Sequence, residues 1–507
     1  MTTSDLTHVE LRRGTYYDSV TLMQVSQRVA RADGVAAAQV AMATELNVDV
    51  LRGMGFPVPD EAAPNDLVIA VRAESAAGSA GIEAGLAAVD EALTATRSTT
   101  SGGAGGFGSA PPPRTVGAAV RTGAASIAVI SVPGQHAVTE TYDAIAAGVS
   151  VMLFSDNVSV ADEIALKDAA AAADVLVMGP DCGTAMVGGV ALGFANVVRG
   201  GGIGLVAASG TGAQQVMCLL DVAGLGVSHC LGVGGRDLKA AVGGRSTRQA
   251  LTALAADPDT SHVLVVSKPP DEAVLTAMRA YAGELGLDVA WAILGEGRDD
   301  LTTSVEGFLR GLGHEVPSWP SAVAPDPAPD LPRGGSLRGL FCGGTLADEA
   351  MFLAAAELGA IRSNIAHEND LLLGPALTDA GHLVIDFGDD GMTQGRAHPM
   401  IDPSLRMERI AAEALDPTCG VLLLDLVLGY GSHPDPAEDL AHAIASAQAT
   451  AREAGRSLPV VVSLTGTDGD PQNATRTMSK LHAAGASVFV SNRDATRHAL
   501  SSLRSHS

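Results

Sequence analysis

The sequence predicts an α/β protein: a small α/β amino-terminal domain, then two regions built on mostly parallel sheets. Three observations carry that expectation. Short apolar runs alternate with helix-length stretches along the 507 residues, the pattern of right-handed βαβ units. Several of these runs end in Gly-, Ser- and Thr-rich loops that open helices. Two stretches of turn-forming residues, 98–114 and 316–335, divide the chain into three parts. Only 3% of residues are aromatic against 47% hydrophobic, so the cores must be built from Ala, Val, Leu and Ile.

The first part, to residue 97, reads β-α-β-α-β-α. Strands are expected at His8–Arg12, Ala37–Ala43 and Asp66–Val71, and helices at Ser19–Ala32, Val48–Met54 and Ala76–Thr96. Residues 98–114 are Gly/Ser-rich and then Pro-rich, the composition of a mobile linker. The second part, 115–315, places strands at Ile127–Val132, Val151–Ser155, Val175–Met178, Ile203–Ala207, His229–Val233 and Val263–Ser267. A Pro-rich linker with a Pro-Asp-Pro-Ala-Pro-Asp core occupies 316–335. The third part, 336–507, repeats the theme at Leu337–Cys342, Leu383–Phe387, Gly420–Leu426, Val460–Leu464 and Ser487–Val490. Ligands of such sheets bind beyond the carboxyl ends of the strands, so the loops there are the places to look.

A formal net charge of −25 argues against a nucleic-acid partner and an anionic membrane surface, both of which need dense Lys and Arg. The acidity reads instead as a solvated, repulsive surface. The five cysteines (Cys182, Cys218, Cys230, Cys342 and Cys419) include no Cys-x-x-Cys pair, so no metal site or disulfide framework is legible. The amino terminus shows no basic-then-apolar leader, and no apolar run reaches about 18 residues. The expectation is a soluble, cytoplasmic protein.

The most informative loop is Ser209-Gly-Thr-Gly212, between a buried strand and a helix. It is either a plain capped turn or an anion site, where free N–H groups and the helix dipole attract a phosphate. Gly232-Val-Gly-Gly-Arg-Asp237 is a close-approach loop or a tight turn. Cys342-Gly-Gly-Thr-Leu346, with Gly343, Gly344 and Thr345, opens another helix and offers a second anion pocket. Gly429-Tyr-Gly-Ser-His-Pro434 follows an apolar strand, so Gly431, Ser432 and His433 are expected at a helix mouth too. In Gly395-Arg-Ala-His-Pro-Met-Ile-Asp402, the pair Arg396 and His398 precedes a helix that Asp402 and Pro403 start. His398 there is an acid, base or phosphate ligand, or is tied to local backbone. Arg12 and Arg13 after the first strand either grip an anion or face solvent.

Three stretches, Val177–Gly183, Gly202–Thr211 and Leu225–Gly235, resemble the α subunit of succinyl-CoA synthetase. Leu383–Gly388, Val421–Gly431 and Pro459–Leu464 resemble the carboxyl-terminal domain of its β subunit. With Arg12–Val20, Phe341–Thr345 and Arg396–Ile401 added, nearly the whole chain resembles the FdrA family. That resemblance implies two flavodoxin/Rossmann-like parallel-sheet domains plus the small amino-terminal domain. It also implies phosphate sites at Ser209–Gly212 and Gly431–His433, related by a pseudo-two-fold.

Departures from the synthetase shape the functional expectation. The synthetase's phosphorylated histidine has no counterpart in Gly295-Glu-Gly-Arg-Asp299, and His314 lies further on without the flanking residues. The position of its steadying glutamate reads Ser267-Lys-Pro-Pro-Asp271. Neither a CoA fingerprint nor an ATP-grasp domain is legible. The FdrA resemblance therefore implies one subunit of a carbamoyltransferase in purine (allantoin) breakdown, converting oxalurate and phosphate to oxamate and carbamoyl phosphate. In that expectation no cofactor is required, Arg396 clamps the substrate carboxylate, His398 handles protons, and partner subunits form a hetero-oligomer. The alternatives are a succinyl-CoA synthetase-like acyl-CoA ligase subunit, for which CoA is a possible cofactor, and a non-catalytic scaffold that binds CoA or phosphate.

Overall fold

Strand Leu67–Ala73 organises the amino-terminal unit because its side chains alternate between two apolar faces. In this computed structural model, residues 6–15, 17, 19–100, 113–123, 125–393 and 397–504 are described. Leu67, Ile69 and Val71 pack with Leu22, Val25 and Val29 of helix Ser19–Ala30 and with Val89 and Leu93 of helix Ser79–Thr100. Val68 and Ala70 face the other way, onto Leu51, Phe56 and Val58. The strand pairs antiparallel with Thr7–Arg12 on one side and Val35–Met42 on the other. The unit formed by residues 1–113 and 393–397 thus holds an antiparallel three-stranded sheet.

Among its described residues, the second unit, 114–392 and 398–507, contains three sheets. Ile127–Ile130, Ser150–Leu153 and Val177–Met178 form a small parallel sheet in chain order. Val289–Ile293, His262–Ser267, Gly200–Ala208 and Val227–Gly232 lie parallel in the next, with a hairpin, Thr184–Val187 and Val190–Gly193, antiparallel at its edge. The strands expected in 115–315 are therefore shared between two sheets. Alternation of strand and helix fixes parallel pairing but not where one sheet stops, so the sequence did not reveal the division.

The seven-stranded sheet runs Ser321–Ala322, Ala486–Phe489, Val460–Thr465, Cys419–Val427, Ser336–Phe341, Leu383–Asp386 and Arg362–Ser363, parallel except for the first. Every residue of its central strand Cys419–Val427 is buried, which suits a strand covered on both faces by helices. Within the linker stretch 316–335, several residues are bonded along this sheet. Ser321 and Ala322 pair with Phe489 and Val488, Arg333 Nη1 donates to the Ser502 carbonyl at 2.7 Å, and Ser457 Oγ donates to Asp326. Proline's missing N–H confines it to such an edge strap.

Candidate functional site

Helix Gly210–Val222 follows strand Gly200–Ala208, and helix Gly344–Leu358 follows strand Ser336–Phe341. Ser209 caps the first, accepting the Gly212 N–H at 2.9 Å. Its hydroxyl also meets that of Thr345 at 2.6 Å, with both side chains buried. The two helix starts therefore face one another. Glycine makes this contact possible. A Cβ on Gly212 would lie 2.3 Å from Ser209 Oγ and 2.9 Å from Thr345 Cγ2, and one on Gly343 would lie 2.9 Å from Thr211.

The second helix carries no capping side chain. Asp425, in the middle of the central strand, instead accepts the N–H groups of Cys342 and Gly343 at 2.8 Å each. Arg406 Nη1 holds that carboxylate at 2.7 Å. Asp425 thus fixes the approach to the helix and leaves the first-turn N–H groups beyond it as the orphan donors of a helix start.

Lys268, from the loop after strand His262–Ser267, lies over this second start. A Cβ on Gly344 would be 2.8 Å from Lys268 Nζ and 2.5 Å from Asp386 Oδ2. The nearest ion-pair partner of Lys268 is Asp348, at 3.7 Å. Burial pulls its pKa down, but Asp348, Asp386, Asp181 and Asp389 more than offset this, so the ammonium is held above its ordinary value. Asp386 ends strand Leu383–Asp386. Its backbone is clamped on both sides by the Asn364 amide, and its Oδ1 accepts the Gly388 N–H at 2.8 Å. Burial raises its pKa to about 7, against the pull of Lys268 and the Gly388 N–H.

Asp181 keeps solvent access at the tip of its loop while surrounding protein displaces much of its water. That crowding, with Asp390 and Asp156, raises its pKa, and Lys268 and Arg236 oppose the rise. His398 packs against Gly388, the residue that bonds Asp386. A Cβ on Gly388 would lie 2.7 Å from its Nε2, and its ring packs 5.6 Å from that of Phe194, which packs in turn 5.5 Å from Phe154.

The structure ties His398 to local backbone, one of the two readings its sequence allowed. Its Nδ1 accepts the Met400 N–H at 3.2 Å, which leaves the proton on Nε2. Burial and the charge of Arg406 push its pKa down to about 4. With its pKa held that low, the neutral imidazole is the form favoured near pH 7. Arg396, its expected companion, and Gly395 lie outside the described residues.

Gly431, Ser432 and His433 precede the next helix start by a few residues, and Gln214 of the Ser209 helix donates to the Leu428 carbonyl at the head of their loop at 3.3 Å. The helix there begins at Pro436, with Glu438 and Asp439 in its first turn. The His433 N–H is spent on the Met400 carbonyl and the Asp435 N–H on His433 Nδ1. Prolines at 434 and 436 supply no N–H, and two carboxylates already complement the dipole. The Ser209 mouth itself touches Gly343–Thr345, through the Ser209–Thr345 bond and the packing of Thr211 on Gly343.

The remaining candidates are structural. Arg12 is bonded to Glu10 at 2.7 Å and Asp90 at 2.6 Å, while Arg13 faces solvent. Asp237 is fully buried and accepts from Lys167, Ser246 and Thr247. His314 is exposed, its Nδ1 beside the Glu315 carbonyl at 3.1 Å. Sequence reasoning missed Lys268, Asp386 and Asp425. The signal available was a lone aspartate interrupting an otherwise apolar strand, in Leu-Val-Ile-Asp386 and Leu-Leu-Leu-Asp425.

Comparison with known proteins bears on these parts separately. Residues 1–108 match the family described as AllF, heavy metal-associated domain. That stretch contains no cysteine and one histidine, His8, so it lacks the donors of a thiolate metal site. Residues 340–501, which include the Gly344 mouth, Asp386 and His398, match the CoA-ligase family. The chain is 37% identical over 504 residues to the uncharacterized protein YahF of Escherichia coli K12, covering 96% of each. It belongs to the YahF family.

This YahF-family chain is also similar to the ADP-forming sulfoacetate-CoA ligase subunit SauD of Bilophila wadsworthia. They are 27% identical over 168 residues, 31% of this chain and 56% of that subunit. Among solved structures it matches a dinucleotide-forming acetyl-coenzyme A synthetase 1 of Ca. Korarchaeum cryptofilum, bound to phosphate and ADP. The identity is 16% and the TM-score 0.30, over 80% of this chain and 87% of that one. It also matches ATP citrate lyase from Methanothrix soehngenii, at 16% identity and a TM-score of 0.29, over 41% and 44% of the two chains. No helix among the described residues is long and apolar enough to cross a membrane.

Proposed function

We propose that this chain is the acyl-transferring subunit of a CoA-ligase-type enzyme, with a phosphate or acyl phosphate seated where the two helix starts meet. The observation that carries this reading is the facing pair itself: Ser209 bonded to Thr345, with Lys268 Nζ brought against Gly344. Orphan N–H groups, helix dipoles and an ammonium converge there in a partly dry crevice, which favours a small oxyanion. The CoA-ligase match over 340–501 supports the class of chemistry. Nucleotide binding belongs, in this reading, to a partner chain in a hetero-oligomer. The test is thioester formation from acid, CoA and nucleotide by the chain with its neighbouring gene products. Lys268→Met should lower turnover by at least about tenfold, or about 1.4 kcal/mol of barrier. Undiminished thioester formation in that variant would remove Lys268 and its mouth from the reaction.

One observation favours a second reading. Gly295–Asp299, the loop where the resemblance would place a phosphorylated histidine, has none, and Lys268 stands where a glutamate would steady it. Phosphate held without a phosphoenzyme suits carbamoyl transfer, in which phosphate attacks oxalurate and releases oxamate and carbamoyl phosphate. Coupling that product to ADP with carbamate kinase distinguishes the readings. Phosphorolysis without CoA favours the second, and nucleotide-dependent thioester formation favours the first.

A further inference from the structure

The Asp386 carboxyl is placed unusually for a group beside an anion site. It is only 4% exposed. Its Oδ1 is satisfied by the Gly388 N–H, whereas Oδ2 takes no hydrogen bond among the described residues. Oδ2 is aimed at the start of helix Gly344–Leu358, 2.5 Å from where a Gly344 Cβ would stand, with Lys268 Nζ on the same spot at 2.8 Å. An ionised carboxylate there would repel an anion drawn by the helix start. A neutral carboxyl would donate its O–H to it. An oxygen without a protein hydrogen bond, on a side chain so little exposed, is open to a ligand that reaches the helix start.

We propose that Asp386, as a neutral acid, donates the hydrogen bond that selects a tetrahedral oxyanion at the Gly344 helix start, with Lys268 as its cationic counterpart. This rests on the anion reading of the mouth given above. Its consequence is pH-dependent affinity: the anion binds the protonated carboxyl and is released as Asp386 ionises near pH 7. The other charged groups acting on Asp386 are Lys268 from the loop after His262–Ser267, Asp389 on its own loop and Asp425 from the central strand, while Asp348 from the helix acts on Lys268. Lys268 stays cationic across this range, and His398 titrates well below it. Asp181 at the rim also has a raised pKa and needs its own control.

The experiment measures sulfate binding to the full chain by calorimetry, because sulfate, unlike phosphate, does not itself titrate near neutrality. From about pH 5.5 to about pH 8.5 the wild-type affinity should fall at least about tenfold. Asp386→Asn keeps a donor and should bind with little pH dependence, whereas Asp181→Asn should keep the wild-type slope. Gly344→Ala places a methyl group between Oδ2 and the anion, and should abolish binding in a folded chain even if Asp386→Asn is unstable. Tight binding that is flat with pH in the wild type, or a slope that persists in Asp386→Asn, would overturn the role of Asp386 and leave the anion site standing. Absence of sulfate binding at every pH would overturn both.

Discussion

Lys167 and Lys268 both face carboxylates within the second unit, and their surroundings differ in one respect. Lys167 is wholly buried and fully used, with its ammonium 2.7 Å from Glu163, 2.7 Å from Asp237 and 3.0 Å from the Val233 carbonyl. Lys268 is a third exposed and has its nearest carboxylate oxygen 3.7 Å away, although four aspartates act on it. A lysine whose donors are all spent ties helix Val160–Ala172 to the loop after Val227–Gly232. A lysine left with unspent donors over a helix start is poised for something that arrives. Satisfaction of the ammonium, more than the number of nearby carboxylates, separates a structural pair from a candidate site.

The largest expected effect tests that separation. Lys167→Met removes the buried cation shared by Glu163 and Asp237, leaving them only Arg236 and neutral donors, and should cost about 3 kcal/mol in urea unfolding. Lys268→Met should cost under about 1 kcal/mol, as partly exposed ion pairs usually do. Equal losses would erase the distinction. A smaller effect is expected at Ser209→Ala, which removes both the cap on Gly212 and the partner of Thr345. It should lower stability by about 1–2 kcal/mol in the same measurement, and an unchanged midpoint would mean that the two helix starts are held together by other contacts.

A pH-dependent effect concerns Glu349, whose oxygens accept the Leu301 N–H and the Asn492 amide. Burial, reinforced by Asp300, raises its pKa from 4.5 to about 7. The folded chain therefore holds a proton that the unfolded chain loses earlier. Its contribution is fully present below about pH 4.5 and is lost as the pH rises through about 7, so stability should fall across this window. Glu349→Gln should flatten that fall by at most about 1.4 kcal/mol per pH unit, read from urea midpoints at a series of pH values. A slope unchanged by the substitution would assign the proton to another group.

Much of the architecture was legible in the sequence because it depends on local periodicity. The run Val460–Thr465 and the residues around Leu383 show as strands by their apolar content alone, and Ser209-Gly-Thr-Gly212 shows as a capped helix start. The site was legible only in part, because its members meet through tertiary packing. Gly343–Thr345 and Gly431–His433 look alike as Gly-rich loops after apolar strands. Only the packing of Gly343 against Thr211, and the capture of the His433 and Asp435 N–H groups by their neighbours, tells them apart. Lys268 lay in a stretch read for what it lacked, a glutamate. His398 was seen, but its Nδ1 bond to Met400 and its burial, which decide its protonation, are not local properties.

If the facing starts at Ser209 and Gly343–Thr345, with Lys268, hold a phosphate-like anion, inorganic phosphate should bind there. Titration calorimetry of inorganic phosphate into the full chain tests it most directly, comparing the wild type with Lys268→Met and Ser432→Ala. One saturable site is expected, weakened at least about tenfold by Lys268→Met and unchanged by Ser432→Ala. Phosphate binding that survives Lys268→Met intact, or that is lost in Ser432→Ala, would contradict it.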